Sequence, residues 1–227
     1  MTRHVIFNAD DFGVSKGVNR GIVECHAGGV LTSTSLIVYG AAARDAARLA
    51  GAHPRLAVGL HWDLDGVRSA PVPRTDPTAV RAELERQLAL AVELLGRQPT
   101  HLDSHHHVHR VPEVETAARE IAARAGLPLR GLSGVLYIGG FYAQWTPGVD
   151  ELEHVGVDAL IAILRDELGD AWSEIGCHPG YVEADFRSSY RAGREAELAT
   201  LTDPRVRAEL DALGVRLASF ADVPAQG

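Results

Sequence analysis

Histidine is concentrated in one short segment of the chain. Five of the eleven histidines lie with Asp103 in the run HLDSHHHVH, which extends from His101 to His109. Neutral imidazole is a common ligand of transition metals, and a positioned His or Asp can also transfer protons. The run is internal and is interrupted by other residue types, unlike a terminal purification tag. Its composition therefore favours metal chemistry over packing.

Polar residues also follow several apolar segments. Asp10 and Asp11 follow the first such segment, His61 follows Leu56–Leu60, and His178 precedes a Pro-Gly pair. Considered alone, the aspartates are better explained as a turn or helix cap, and His61 as a structural histidine. For His178, a turn residue and a general acid are equally good explanations. Adjacent residues on an extended segment point to opposite faces, so one aspartate could bind a metal while the other accepts a proton.

The conformation of the histidine-rich run decides which of its side chains share a face. If residues 100–107 are extended, alternation places four side chains together: His101, Asp103, His105 and His107. A helix would instead pair His105 with His109. An Asp-His-His set is a reasonable group of ligands for a hydrolytic metal that keeps positions open for water and substrate. The other histidines would orient the ligands, bind substrate or lie exposed.

Short apolar segments alternate with longer segments of helical character. The predicted strands are His4–Asn8, Thr34–Val38, Leu56–His61, Thr100–Ser104, Leu127–Arg130, Glu174–His178 and Arg216–Ser219. The predicted helices are Lys16–Ala27, Ala41–Ala50, Thr78–Leu95, Val114–Ala125, Val157–Leu168, Tyr190–Leu201 and Asp203–Leu213. This order predicts an α/β fold with a mostly parallel sheet, which a chain of 227 residues can form as a single domain. Ligands bind at the carboxyl ends of such strands, where the polar residues above are found.

Composition narrows the classes of function. The formal net charge of -8 argues against nucleic acid or anionic lipid as a partner. Cys25 and Cys177 form no C-x-x-C pair, so neither a disulfide framework nor a cysteine-rich zinc site is expected. The sequence shows no signal-peptide pattern and no membrane-spanning run, which predicts a cytoplasmic enzyme.

Aromatic residues are frequent in residues 133–149, which we predict to form a long loop. This segment contains Tyr137, Phe141, Tyr142 and Trp145. Aromatic faces stack well against sugar rings, although packing within the loop is the simpler explanation for any single residue. Exposed aromatics in this loop would also permit a homodimer.

Four motifs occur in order along the chain: NADDFG at residues 8–13, GLHWDL at 59–64, HLDSHHHVH at 101–109 and HPGY at 178–181. The ordered set resembles the YdjC-like (ChbG/HpnK) carbohydrate deacetylases over most of the chain. The resemblance implies a distorted TIM-like (β/α) barrel over residues 1–227 that removes N-acetyl groups from amino sugars with one divalent metal ion. The segment after GLHWDL is shorter than in many members, which leaves the identity of the substrate open.

The resemblance also implies roles for individual residues. By motif position the metal ligands are Asp11, His61 and His105, the general base is Asp10 and the general acid is His178. Mg²⁺ or Zn²⁺ is the favoured ion, with Co²⁺ and Mn²⁺ as alternatives. The implied substrates are an N-acetylated amino sugar, an oligosaccharide or a glycoconjugate. Three histidines have no implied role: His106, His107 and His109.

Two other classes of function fit parts of the pattern. A metal-dependent phosphoesterase could use the same His- and Asp-rich rim, but no Gly-rich phosphate loop is evident in the sequence. A noncatalytic metal-binding or sugar-binding protein would bind tightly without turnover.

Overall fold

A computed structural model describes residues 2–66, 70–183, 186 and 188–224 of the chain. Its strands are β1 (His4–Phe12), β2 (Ser33–Leu36), β3 (Ala57–Trp62), β4 (Leu102–Ser104), β5 (Leu136–Ile138), β6 (Trp172–Cys177) and β7 (Arg216–Leu217). Its α-helices are α1 (Lys16–Gly28), α2 (Ala43–Ala52), α3 (Pro77–Leu95), α4 (Pro112–Ala125), α5 (Val157–Asp166), α6 (Ala192–Thr202) and α7 (Pro204–Ala212). Short 3-10 segments cover His105–Arg110, Leu152–Val155 and Phe220–Asp222.

Every strand pairing in the described sheet is parallel. The strand order is β4-β3-β2-β1-β6-β5, and β7 pairs with His4 and Val5 at the beginning of β1. One edge of β1 is therefore shared, because β2 takes the place of β7 from Asn8 onwards. The sheet curls into a half-barrel surrounded by helices, which confirms the predicted α/β fold with a barrel-like parallel sheet. Among the described residues, no helix is long and apolar enough to cross a membrane.

Local sequence signals explain where α3 begins and ends. Asp76 caps the helix by accepting the N–H groups of Thr78 and Ala79 at 3.0 and 3.1 Å, and Pro77 occupies the first turn. Gly96 ends the helix in the left-handed conformation, with φ 66°. The predicted helix Thr78–Leu95 is therefore confirmed, and it begins one residue earlier than predicted.

One strand prediction and one loop prediction differ from the structure. Leu127–Arg130 contributes only an isolated bridge between Leu129 and Leu102, because the chain turns at Gly131, where φ is 67°. The predicted loop contains β5. This strand has three residues, too few to show alternation, and Leu136 is 48% exposed, so apolar periodicity gives no signal there.

The segment after β7 packs against residues of the sheet. Phe220 is buried, and its ring stacks on the imidazole of His101 with centroids 3.9 Å apart. The backbone N–H of Phe220 donates to Oγ of Ser33 at 3.0 Å. Nε2 of His101 in turn lies 3.1 Å from the hydroxyl of Ser35, so His101 links this segment to a residue of β2.

Gly59 of β3 makes room for the same imidazole, since a Cβ atom at Gly59 would lie 2.4 Å from Cε1 of His101. We expect Gly59→Ala to destabilise the fold by about 1–3 kcal/mol, the usual effect of overpacking a core. Gly51→Ala is the matched control, because Gly51 lies in α2 with open space around it. Urea unfolding of both variants checks this expectation, which fails if Gly59→Ala is as stable as the wild type.

Candidate active site

The carboxyl ends of β1, β3, β4 and β6 meet at one cavity of about 320 Å³. Five lining residues are those predicted from the motifs: Asp10, Asp11, His61, His105 and His178. Parallel strands present their carboxyl ends at the same edge of the sheet, which is why these distant residues meet. Tyr190 and Arg194 also line the cavity, although the sequence patterns predict no site role for either.

Asp10 is held by a bidentate ion pair with Arg130. Nη1 and Nη2 of Arg130 donate to the two carboxylate oxygens at 2.8 and 2.7 Å, and Nδ2 of Asn8 donates at 3.1 Å. Burial raises the pKa of Asp10, but the charges of Arg130 and His61 outweigh burial and hold this pKa well below its ordinary value. Asp10 is therefore an ionised carboxylate with a fixed orientation at the cavity wall.

Arg130 is the centre of a buried ionic cluster. Its side chain is fully buried, and Nη2 also lies 2.9 Å from Asp103 and 2.7 Å from Glu174. The guanidinium carbon lies 4.9 Å from the ring centroid of Tyr137. Burial raises the pKa of Glu174 to about 7, although Arg130 acts in the opposite direction. One guanidinium thus links carboxylates from β1, β4 and β6.

His61 is oriented by a carboxylate. Its Nδ1 lies 2.7 Å from Oδ1 of Asp103, whose Oδ2 accepts the hydroxyl of Ser35 at 2.5 Å. Nε2 of His61 lies on the other side of the ring, 3.9 Å from Oδ1 of Asp11. Histidines that ligate metals are commonly held by a carboxylate in this way. Burial lowers the pKa of His61, but Asp10 and Asp103 outweigh burial and raise it to about 9, so the imidazole carries a positive charge here.

Asp11 has left-handed backbone, with φ 68°. The register between β1 and β2 shifts at this point, between Ala9 and Phe12. Strict alternation would place Asp10 and Asp11 on opposite faces, whereas this irregularity lets both line the cavity. Nη2 of Arg194 donates to Oδ2 of Asp11. Burial raises the pKa of Asp11, but Arg194 outweighs it, so the carboxylate is ionised.

The histidine-rich run does not continue β4. The strand ends at Ser104, and a 3-10 segment follows in which His106 and His107 have φ values of 50° and 52°. Of the two conformations considered for this run, the extended one does not continue to residue 107, because left-handed backbone at two consecutive residues breaks the two-residue period. His105, His106 and His107 all line the cavity. The buried Nδ1 of His105 has no hydrogen-bond partner among the described residues.

His101 and His109 have structural roles. Nε2 of His101 lies 3.1 Å from the hydroxyl of Ser35. The ring of His109 lies between Oγ of Ser104, at 2.7 Å, and the carbonyl oxygen of Arg130, at 3.1 Å. Burial lowers the pKa of His101 to about 3 and that of His109 to about 4, so both are neutral. They support the segments on either side of the cavity-lining histidines.

Potential metal donors approach one another closely at two places in the described part of the chain. The two groups, each with donor atoms within 4.8 Å, are Asp10, His61 and Asp103, and Asp65, His105 and His106. Neither contains all three predicted ligands. In the first group both carboxylates already contact Arg130, and in the second Asp65 already pairs with Arg74 and His106.

His178 lies beside a buried carboxyl group. Its backbone N–H and the hydroxyl of Tyr190 both donate to Glu197, and its Nδ1 lies 4.0 Å from Oε1 of Glu197. Burial raises the pKa of Glu197 to about 8 and lowers that of His178 to about 4. Nε2 of His178 lies 3.8 Å from Oδ2 of Asp10. A neutral imidazole and a protonated carboxyl therefore stand next to an ionised carboxylate.

A family model described as YdjC-like protein matches residues 4–212. The chain belongs to the YdjC-like family. Curated relatives include a carbohydrate deacetylase of Geobacillus stearothermophilus, 37% identical over 98% of both chains. Another is a chitooligosaccharide deacetylase of Serratia marcescens, 33% identical over 98% of this chain and 100% of the relative. The resemblance recognised from the four ordered motifs is thus confirmed.

Solved structures share the fold of this YdjC-like chain. A protein of Enterococcus faecalis V583, described as a candidate for cellobiose-phosphate cleavage, has a TM-score of 0.84 and 25% identity, covering 97% of this chain and 98% of that chain. A family 4 carbohydrate esterase of Streptomyces lividans, solved with acetate, has a TM-score of 0.62 and 15% identity, covering 99% of this chain and 97% of its own. The second likeness is one of fold alone.

The ionic cluster of this YdjC-like protein predicts a large effect of removing Arg130, the guanidinium partner of Asp10. Arg130→Gln leaves buried carboxylates uncompensated, and we expect a loss of about 3–5 kcal/mol in the free energy of unfolding. Arg165→Gln is the control, because Arg165 pairs with Glu209 at 2.7 Å on the surface and is 57% exposed. Its loss should stay below about 1 kcal/mol. Equal losses in urea unfolding would contradict this account.

The raised pKa of Glu197 predicts a pH dependence of stability. This pKa is about 8 in the folded protein against an ordinary 4.5, so the folded state keeps a proton that the unfolded chain has released. Stability is therefore lost as pH rises from about 5 to about 8. We expect Glu197→Gln to reduce this loss, because glutamine has no proton to release. Urea unfolding of the wild type, Glu197→Gln and the surface control Glu209→Gln is measured across this pH range. If the wild type and Glu197→Gln lose stability in parallel, Glu197 does not titrate there.

Proposed function

We propose that the protein is a metal-dependent hydrolase that removes N-acetyl groups from amino-sugar substrates. Its family and the names of both curated relatives support carbohydrate deacetylation. The observation that carries the proposal is a pair of adjacent carboxylates with different partners. Asp10 is held by Arg130, whereas Asp11 faces Nε2 of His61. This division suits one carboxylate to proton transfer and the other to a metal ion.

The proposed ligands of one divalent ion are Asp11, His61 and His105. Asp103 holds Nδ1 of His61, and a metal ion would displace the proton that the raised pKa keeps on Nε2 and use this nitrogen as its donor. Nδ1 of His105 has no hydrogen-bond partner among the described residues, and Arg194 pairs with Oδ2 of Asp11 while Oδ1 faces His61, so these two donors fit the proposed site. Imidazole and carboxylate ligands suit Zn²⁺ or Mg²⁺, with Co²⁺ and Mn²⁺ as alternatives.

The remaining cavity residues supply proton transfer. A divalent ion bound to the proposed ligands would acidify water and polarise the acetyl carbonyl. Asp10 would accept a proton from the attacking water, in the orientation that Arg130 fixes. His178 would protonate the departing amine, so that acetate and a free amino sugar result. Because the pKa of His178 is about 4, we place its protonation within the reaction: the proton on Asp10 crosses the 3.8 Å separation to Nε2.

The cavity suits a small polar group carried on a sugar ring. Its volume of about 320 Å³ is at the lower end for small-molecule sites. Tyr137, Phe141 and Tyr142 contribute aromatic surface to its lining. These features support the acetylated ring of an amino sugar, an oligosaccharide or a glycoconjugate as the bound part.

Metal content and acetate release together test the ligand assignment. We expect Asp11→Asn and His61→Gln to bind less metal and to release acetate at least about a hundredfold more slowly from N-acetylated sugars. His53→Gln is the control, because His53 bonds to the carbonyl of Leu49 in α2, outside the cavity lining. Unchanged metal content and activity in both ligand variants would contradict the assignment. Turnover of a phosphate ester without acetate release would instead favour a phosphoesterase.

The two residues proposed for proton transfer should give a different result from the proposed metal ligands when they are replaced. Asp10→Asn and His178→Gln should retain the metal but release acetate about 10²–10⁴-fold more slowly, the range typical of general acid–base groups. Metal analysis of the same samples distinguishes these variants from the ligand variants. Loss of metal in Asp10→Asn would move this residue into the ligand set and contradict its role as the base.

A further inference from the structure

Trp145 exposes an aromatic side chain beside the candidate active site. The residue is 63% exposed and lines a shallow pocket of about 270 Å³ together with Gly139, Gly140 and Tyr142. An indole is a large apolar surface, so covering it with a ligand removes apolar area from water. None of the roles assigned above uses this side chain.

The shallow pocket adjoins the cavity of the candidate active site. Gly139 and Tyr142 line both. The ring centroid of Tyr142 lies 5.4 Å from that of His178, the proposed general acid. A molecule that places its acetamide beside Asp10 and His178 can therefore extend past Tyr142 to Trp145.

The loop that carries Trp145 is held in place by its neighbours. Nε2 of Gln144 donates to Asp150 at 2.7 Å and to the carbonyl oxygen of Ser189 at 2.9 Å. The ring of His154 lies against the indole, with centroids 5.0 Å apart. A surface that is already ordered loses little conformational freedom when a ligand binds.

We propose that Trp145 and Tyr142 form a binding site for a second pyranose ring, so that the preferred substrate contains at least two linked sugars. This inference rests on the proposed function and names its substrate class: an oligosaccharide whose N-acetylated ring enters the deeper cavity. The C–H face of a pyranose packs on an aromatic ring and releases water from both surfaces. Gly139 and Gly140 line the same shallow pocket as the indole.

The experiment compares a one-ring substrate with a two-ring substrate. Acetate release is measured from N-acetylglucosamine and from N,N′-diacetylchitobiose, with metal-loaded wild-type protein and Trp145→Ala. We expect the variant to lose about tenfold in kcat/KM on the disaccharide, through KM, with no change on the monosaccharide. Trp145→Phe keeps an aromatic face and should retain most of the disaccharide activity.

Val149→Ala is the matched control and should behave as the wild type. Val149 is 50% exposed on the same loop and is not among the described residues that line either cavity. Equal losses on both sugars in Trp145→Ala, or no loss on the disaccharide, would overturn the second-ring site while leaving the deacetylase proposal in place.

A binding measurement separates the two proposals further. Tryptophan fluorescence titrated with N,N′-diacetylchitobiose should report on Trp145, since Trp62 is buried and Trp172 half-buried. The fluorescence change should disappear in Trp145→Phe. If neither sugar releases acetate, the deacetylase proposal fails for these two sugars. A fluorescence change that depends on Trp145 would then still support the second-ring site. Absence of that change in the wild type overturns it.

Discussion

A single buried guanidinium holds together three acidic side chains, one of which, Asp10, lines the cavity. Arg130 contacts Asp10, Asp103 and Glu174, which come from three different strands. Without a buried positive charge, Asp10 and Asp103 could not both remain ionised so close together. The cluster also determines more distant positions, because Asp103 in turn orients His61. The geometry of the proposed base and of one proposed metal ligand therefore depends on the same cation.

The electrostatic character of the cavity differs between its two sides. Around Arg130 and Arg194, positive charge keeps Asp10 and Asp11 ionised despite burial. Around Glu197 no interaction outweighs burial, so its carboxyl group retains a proton near neutral pH. His178 lies between these two regions, 3.8 Å from Asp10 and 4.0 Å from Glu197, as the proposed transfer of a proton from Asp10 requires.

The sequence was sufficient to predict the fold class and to bring the five motif residues to one cavity, because strand ends in a parallel sheet converge. It could not predict the partners Arg130, Arg194 and Glu197, whose segments show only ordinary strand or helix patterns. Apolar periodicity also could not predict the backbone conformation of individual residues. The described non-glycine residues with left-handed backbone are Asp11, His106 and His107, and each lines the cavity. Such conformations depend on the surrounding structure, and they concentrate at functional sites.

The shared edge of β1 has a consequence for the order in which the chain can fold during synthesis. The strand β1 emerges from the ribosome before the other strands, whereas β7 and Phe220, which cover its beginning and the ring of His101, emerge after the seven α-helices of the described chain. Until then, the polar groups of His101 and Ser35 below the strand ends lack their final cover. Contacts between such distant parts of a chain form slowly. The support that Phe220 gives to His101 can therefore form only after the other strands and the α-helices have been synthesised.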